Sequence, residues 1–278
     1  MTWNEVWKEA YSANAAAGAG GGCAQAWMEE SAARAYWQRV CQSQTAAGRA
    51  RELTTFAPAG SKVLDIGAGP GTLTVPLAHN GYRVTAVEPA AGMLTVLYEN
   101  IRGLATVERV VAKPWEAVIP AQDLLPPYDL TVCAFALGMS DLLAALTLMQ
   151  QVTNGWVVLY WHVGDQPYER EAKALWPYFY ADPFPPIPKS DVVLGVLNEM
   201  GIAAQVEVVS GTQEKRFENY SAAEEDISRC YPVTTDAQRA AIRRYLDARL
   251  IQTEGACVLR AAHDTARIAW RAEAMTVP

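Results

Sequence analysis

From residue 61 the chain alternates short β-branched apolar runs with stretches in which apolar residues recur every three or four positions. That is the pattern of parallel strands joined by crossover helices. The runs KVLDIG (62–67), RVTAVE (83–88), VERVVA (107–112), YDLTVCAF (128–135) and WVVLYWHV (156–163) read as five strands. Between them TLTVPLAHNG (72–81) reads as a helix closed by Asn80 and Gly81, and AAGMLTVLYENIRG (90–103) as a second. SDLLAALTLMQQVTNG (140–155) reads as a third, with Ser140 or Asp141 as N-cap and Gly155 as terminator.

Upstream, the first 55 residues read as helical, interrupted by ANAAAGAGGGCA (13–24), where consecutive glycines oppose a helix interior. AWMEESAARAYWQRV (26–40) places Trp27, Ala33, Tyr36, Trp37 and Val40 at helical spacing, and AAGRARELTTF (46–56) continues as a further helix. Downstream of the fifth strand, residues 164–190 are dense in aromatics and prolines and read as an elaboration of the sheet edge that covers a pocket. A helix (191–202), a strand (204–211), two helices (221–231 and 234–251) and a last strand (266–272) complete the chain.

Composition narrows the function classes. The 278 residues show no linker between halves and predict one domain, 1–278: a helical cap (1–55), a ligand-binding core (56–165), then a cover and sheet completion (166–278). A net charge of −7 and a pI near 5.1, with no Lys/Arg cluster, argue against a nucleic-acid partner. The acidic start lacks the basic region of a signal peptide, and no run is long and apolar enough for a bilayer, so a cytoplasmic protein without a membrane partner, monomer or homodimer, is expected. Cys23, Cys41, Cys133, Cys230 and Cys257 are scattered, which predicts buried reduced thiols, no disulfide framework and no metal site.

The stretch VLDIGAGPGTL (63–73) carries the chemistry. A strand, a glycine turn and a helix bring backbone N–H groups to the carboxyl edge of a parallel sheet, where open α/β folds bind ligands. The spacing of Gly67, Gly69 and Gly71 is G-x-G-x-G, with Asp65 inside the strand. The second strand ends in Glu88, a carboxylate able to accept both hydroxyls of a ribose.

VLDIGAGPGTL, VTAVEPAAGML and YDLTVCAFALGMSD together resemble the core of a class I S-adenosylmethionine-dependent methyltransferase over residues 60–165. The resemblance implies an α/β three-layer sandwich with a mostly parallel seven-stranded sheet in the order 3-2-1-4-5-7-6, the last strand antiparallel. It implies that Gly67, Gly69 and Gly71, with Ala68, face the methionine half of S-adenosylmethionine, with Asp65 near its ammonium. Glu88 would bind the ribose, Pro89 and Met93 would border the adenine, and Phe135 would be a further cofactor-binding residue. One departure stands out: where the family often places an acid after the third strand, this chain has Lys113 and Pro114, which leaves backbone groups, Trp115 or, more weakly, Glu116 for the adenine.

Methyl transfer needs alignment and exclusion of water more than a nucleophile. Where the acceptor must lose a proton, Asp141, His162 and Asp165 lie at the ends of strands four and five, and His162 is the favoured base, against the alternative of a histidine packed in its strand. His79 and His263 read as structural or solvated. The aromatics from Tyr168 to Phe184 offer an acceptor pocket, and Trp27, Tyr36 and Trp37 a cover from the N-terminal side. No N-P-P-Y-type tetrapeptide follows strand four and no thiol-rich site exists, which leaves a small-molecule acceptor. The rivals are a non-catalytic binder of S-adenosylmethionine or its product, and an NAD-dependent oxidoreductase, whose Tyr-x-x-x-Lys relay is not matched by Tyr168 and Lys173.

Overall fold

Each apolar run read as a strand forms one in the computed structural model, which describes residues 1–16, 27–42, 45–185 and 187–272. The strands β1 (Lys62–Ile66), β2 (Arg83–Val87), β3 (Val107–Val111), β4 (Tyr128–Ala134) and β5 (Thr153–Val163) pair in parallel, β1 lying between β2 and β4. β1 is buried at four successive positions, as a parallel strand covered on both faces must be. With β6 (Gln205–Phe217) and β8 (Ala256–Arg271) the sheet order is β3-β2-β1-β4-β5-β8-β6, and β7 (Leu250–Thr253) pairs antiparallel with β8. This is the expected order with one short strand inserted before the last.

The insertion corrects the sequence reading. The amphipathic pattern of 234–251 suggests helix throughout, but the helix stops at Asp247 because Leu250–Thr253 is captured by Ala256–Leu259 across a turn with Gly255 at φ +75°. β8 consequently begins ten residues before the strand expected at 266, and β6 runs six residues past 211. Gly155 is not a helix terminator: the helix Leu142–Val152 ends and β5 starts at Thr153 without a loop. The Thr153 hydroxyl donates to the Met149 carbonyl at 2.6 Å, satisfying a last-turn acceptor that a glycine cap would otherwise serve. Gly155 instead lies where a Cβ would sit 2.0 Å from the Asp129 carbonyl oxygen of β4.

The described helices are α1 (Trp3–Ala16), α2 (Glu30–Gln42), α3 (Thr45–Leu53), α4 (Thr74–His79), α5 (Ala91–Asn100), α6 (Pro120–Asp123), α7 (Leu142–Val152), α8 (Pro167–Phe179), α9 (Ser190–Glu199), α10 (Tyr220–Cys230) and α11 (Asp236–Asp247). Of the glycine-rich loop expected at 13–24, residues 13–16 close α1 and the rest lie outside the described residues. Among the cysteines, Cys133 and Cys257 are buried, while Cys41 and Cys230 are exposed, contrary to expectation, because each falls near the end of a surface helix. Cys23 is outside the described residues. No described helix is long and apolar enough to cross a membrane.

By contact density the chain divides into two compact units, the first made of Met1–Trp161, Ile187–Glu207 and the stretch from Ala266, the second of His162–Pro186 and Val208–Thr265. In the first unit, Ala50 and Leu53 of α3 and Leu77 and Ala78 of α4 pack on Val63, Val84, Leu130, Val132 and Tyr160. α1 packs on α7 and α9: Trp7 donates its indole N–H to the Met139 carbonyl at 2.8 Å, and the Trp3 ring fills the space a Cβ would take at Gly195. The second unit has its own core, Leu175 of α8 with Ala223, Ile227, Ala241, Ile242 and Leu246 of α10 and α11.

Candidate active site

The β1–α4 turn is shaped by three glycines with positive φ, and each needs its glycine for a different reason. At Gly67 (φ +71°) a Cβ would lie 2.1 Å from the Ala136 Cβ, just past β4. At Gly71 (φ +99°) it would meet Val75 at 2.9 Å and Leu97 at 3.2 Å, so this glycine seats the turn against α4 and α5. Only at Gly69 (φ +56°) is the space open, with the Met93 sulfur 4.0 Å away. The amides of Gly67 and Ala68 donate to the Val87 carbonyl at 2.8 and 3.1 Å, which pins the turn to the end of β2.

Glu88 completes that junction. Its Oε2 accepts the Gly69 amide and its Oε1 the Ala90 amide, both at 2.8 Å. A carboxylate has about four lone-pair sites, so two remain, one on each oxygen, matching two vicinal hydroxyls. Burial (6 % exposed) pushes the Glu88 carboxyl up, opposed by the same two amides. Asp65, on the same face of β1 as Val63, is 2 % exposed and accepts the Thr74 hydroxyl of α4 at 2.6 Å. Burial pushes its carboxyl up to about 6, with the Thr74 hydrogen bonds opposing and the nearby Glu88 charge adding.

Around this pair, Pro89 is exposed and Met93 buried in a cluster with Ala90, Ala33 and Val96, on which Trp27, Tyr36 and Trp37 pack. Trp27 and Tyr36 meet edge-on with centroids 5.3 Å apart, and a Cβ on Gly92 would fall 2.7 Å from the Trp27 carbonyl oxygen. The N-terminal aromatics thus close over α5. Trp115, in a 3-10 turn (Trp115–Ala117), is buried and donates its indole N–H to the Ala145 carbonyl at 3.1 Å, so that donor is already engaged. Lys113 is tied to both oxygens of Asp123 at 2.7 and 2.8 Å, and Glu116 accepts the Ser140 amide at 3.0 Å. Phe135 holds a left-handed backbone (φ 56°), with its amide donating to the Tyr160 carbonyl at 3.0 Å.

The three base candidates part company. Asp141 is the N-cap of α7, accepting the Ala144 amide at 3.0 Å and the Asn4 side-chain amide at 3.1 Å, and it pairs with Lys8. Burial opposes, but Lys8 and these donors together hold its carboxyl below the usual range. His162 and Asp165 fall in the second unit: Asp165 binds Lys173 at 2.6 Å through both oxygens, and His162 faces Tyr168 edge-on with centroids 6.2 Å apart. In the same unit Trp176 stacks on Tyr180 at 3.9 Å and meets Phe184 edge-on at 5.2 Å, while Phe179 packs against Tyr231. The sequence reading passed over Arg49, whose guanidinium lies 4.7 Å from the Phe135 ring centroid; its only signal was a cation in an alanine-rich helix.

Residues 63–154 match the family model described as a methyltransferase domain. Solved structures similar to this chain include a protein provisionally described as a methyltransferase from Bacillus halodurans C-125, 16% identical, covering 81% of this chain and 98% of that one at a TM-score of 0.50. The YcgJ protein of Bacillus subtilis is 16% identical over 81% of this chain and 98% of that one, with a TM-score of 0.49. Magnesium protoporphyrin IX methyltransferase of Synechocystis PCC 6803, solved with S-adenosylhomocysteine, is 12% identical over 81% of each chain, with a TM-score of 0.48. The comparison with curated proteins finds no match. Residues 63–154 are thus similar to a methyltransferase domain, and the sheet built on them has the class I α/β fold. S-adenosylmethionine is the cofactor of that class, and the open side of Gly69 and the unused lone pairs of Glu88 suit its ribose and amino-acid end.

Proposed function

We propose that the protein transfers a methyl group from S-adenosylmethionine to a small-molecule acceptor. The observation that carries this reading is the Gly69 amide held by Glu88 at 2.8 Å, which fixes the sterically open glycine of the turn beside a carboxylate with capacity left for a ribose. Bound there, the cofactor supplies an electrophilic methyl group on a sulfonium. Glu88 orients the nucleoside, the Gly67–Gly71 backbone lets the amino-acid end approach, and Asp65 offers negative charge to an ammonium. Trp27, Tyr36 and Trp37, packed over Met93, exclude water from the adenine side. The net charge of −7 favours a small acceptor over a nucleic acid, and His162 is given the acceptor's proton where one must leave.

Calorimetry with S-adenosylmethionine, S-adenosylhomocysteine and NAD tests the cofactor: the first two should bind and NAD should not, and Glu88→Ala should weaken both. A panel of small acceptors, read by S-adenosylhomocysteine release, then tests transfer; His162→Gln should lower turnover while leaving cofactor binding unchanged. Binding of NAD alone would overturn the proposal.

A further inference from the structure

Two arginines of the first unit lie over aromatic rings, and their surroundings differ. Arg267 of β8 sits 5.2 Å from the Phe56 centroid and is neutralised twice, by Glu52 and by Glu207. Arg49 of α3 lies one turn from Glu52, but that carboxylate is occupied by Arg267 and by the Tyr160 hydroxyl at 3.0 Å. The Arg49 guanidinium is 4.7 Å from the Phe135 centroid and 5.5 Å from that of Tyr160, is half-buried, and among the described residues donates no hydrogen bond and forms no ion pair. Ring faces attract a cation but cannot accept the five N–H donors of a guanidinium, so a desolvated fork is left without acceptors. Burial accordingly pulls the Arg49 pKa down.

The place of this cation matters. Phe135, beneath it, is the only non-glycine residue with positive φ among the described residues, and the next residue, Ala136, is the one that a Cβ on Gly67 would strike. Arg49 therefore stands beside the glycine turn, at the carboxyl end of β4. Building on the methyltransferase reading above, the geometry points to Arg49 as the anion-binding residue of this site, taking a carboxylate. A planar fork matches a carboxylate in bidentate fashion. A single guanidinium, with its neighbour Arg267 already neutralised, suits a monoanion better than a phosphate. Two ligands present such a group here: the amino-acid end of the cofactor, or an acid function on the acceptor.

Calorimetry on wild type, Arg49→Met and Arg49→Lys separates them. The probes are S-adenosylhomocysteine, 5′-methylthioadenosine, which lacks the amino-acid end, and benzoate added to protein saturated with S-adenosylhomocysteine. If the cofactor's carboxylate is the ligand, Arg49→Met weakens S-adenosylhomocysteine about tenfold or more and leaves methylthioadenosine unchanged. If the acceptor's is, both nucleosides bind as in wild type and benzoate binding to the loaded protein disappears. Arg49→Lys, which keeps charge over the rings without the fork, should fold and give an intermediate loss. Wild-type affinity for all three probes in both variants overturns the assignment. A wild-type protein that binds neither nucleoside instead overturns the methyltransferase reading.

Discussion

Thr74 donates its hydroxyl to Asp65 at 2.6 Å across the interface between α4 and β1, and it is the only side-chain donor the buried carboxylate has among the described residues. One hydroxyl, with a backbone bond from the same residue, does not offset burial, and the acid is left with a folded pKa near 6. Because this value lies above that of the unfolded chain, the folded state binds more protons between about pH 4 and pH 6. The associated stability is full below about pH 4, is lost as pH rises through 6, and amounts to about 3 kcal/mol. Asp65→Asn should therefore raise the urea midpoint at pH 8 and flatten its pH dependence between 4 and 6.

The same proton opposes the cofactor. Asp65 must be ionised to favour an ammonium, so S-adenosylmethionine should bind about tenfold more weakly at pH 5 than at pH 8. Calorimetry of wild type and Asp65→Asn across that range checks this, and the variant should bind weakly at both ends.

Gly67 and Gly69 should fail in different ways when changed to alanine. Gly67→Ala adds a methyl 2.1 Å from Ala136 on a left-handed backbone and should cost about 2–4 kcal/mol in chemical denaturation. Gly69→Ala meets only the Met93 sulfur at 4.0 Å and should cost about 1 kcal/mol. Its larger effect should be on cofactor affinity.

Glu88→Gln tests the shared carboxylate. Glutamine keeps one acceptor oxygen, so one of the amides of Gly69 and Ala90 loses its partner and the ribose loses an anionic acceptor. S-adenosylhomocysteine affinity should fall about tenfold or more, with stability changed by about 1–2 kcal/mol.

Asp141→Ala should be a stability variant. It removes the cap of α7 and the anchor of Asn4 and Lys8 from α1, at about 1–2 kcal/mol, whereas Asp141→Asn should retain most of that cap. Turnover per folded molecule should match wild type in both, which the residue's use as a cap rather than a base requires.

The glycine turn and its junction with β2 were legible because their signals are local. A glycine turn after a buried strand and an acid at the end of the next each specify backbone geometry within a few residues, and Gly69 meets Glu88 there as their spacing requires. Elements decided by distant partners were not legible. Leu250–Thr253 follows a strong helical pattern and becomes strand only through pairing with β8, and Thr153 replaces a glycine stop through its bond to Met149. Asp141 read as a possible cap or, behind His162, as a base, and it is α1, some 137 residues away, that adds Asn4 to its partners as a cap. Arg49 carries no motif at all, because its character comes from the rings beneath it and from a neighbour that has taken its carboxylate.

Glu52 and Arg267 are 215 residues apart in sequence, yet they join α3 to β8 within the first unit. During synthesis Glu52 leaves the ribosome 215 residues before Arg267, and at 5–20 residues per second that interval lasts about 10–40 s. Throughout it Glu52 lacks its partner from β8. Arrival of the last strand gives that carboxylate its cation, so the tie between α3 and β8 forms only once the sheet is complete.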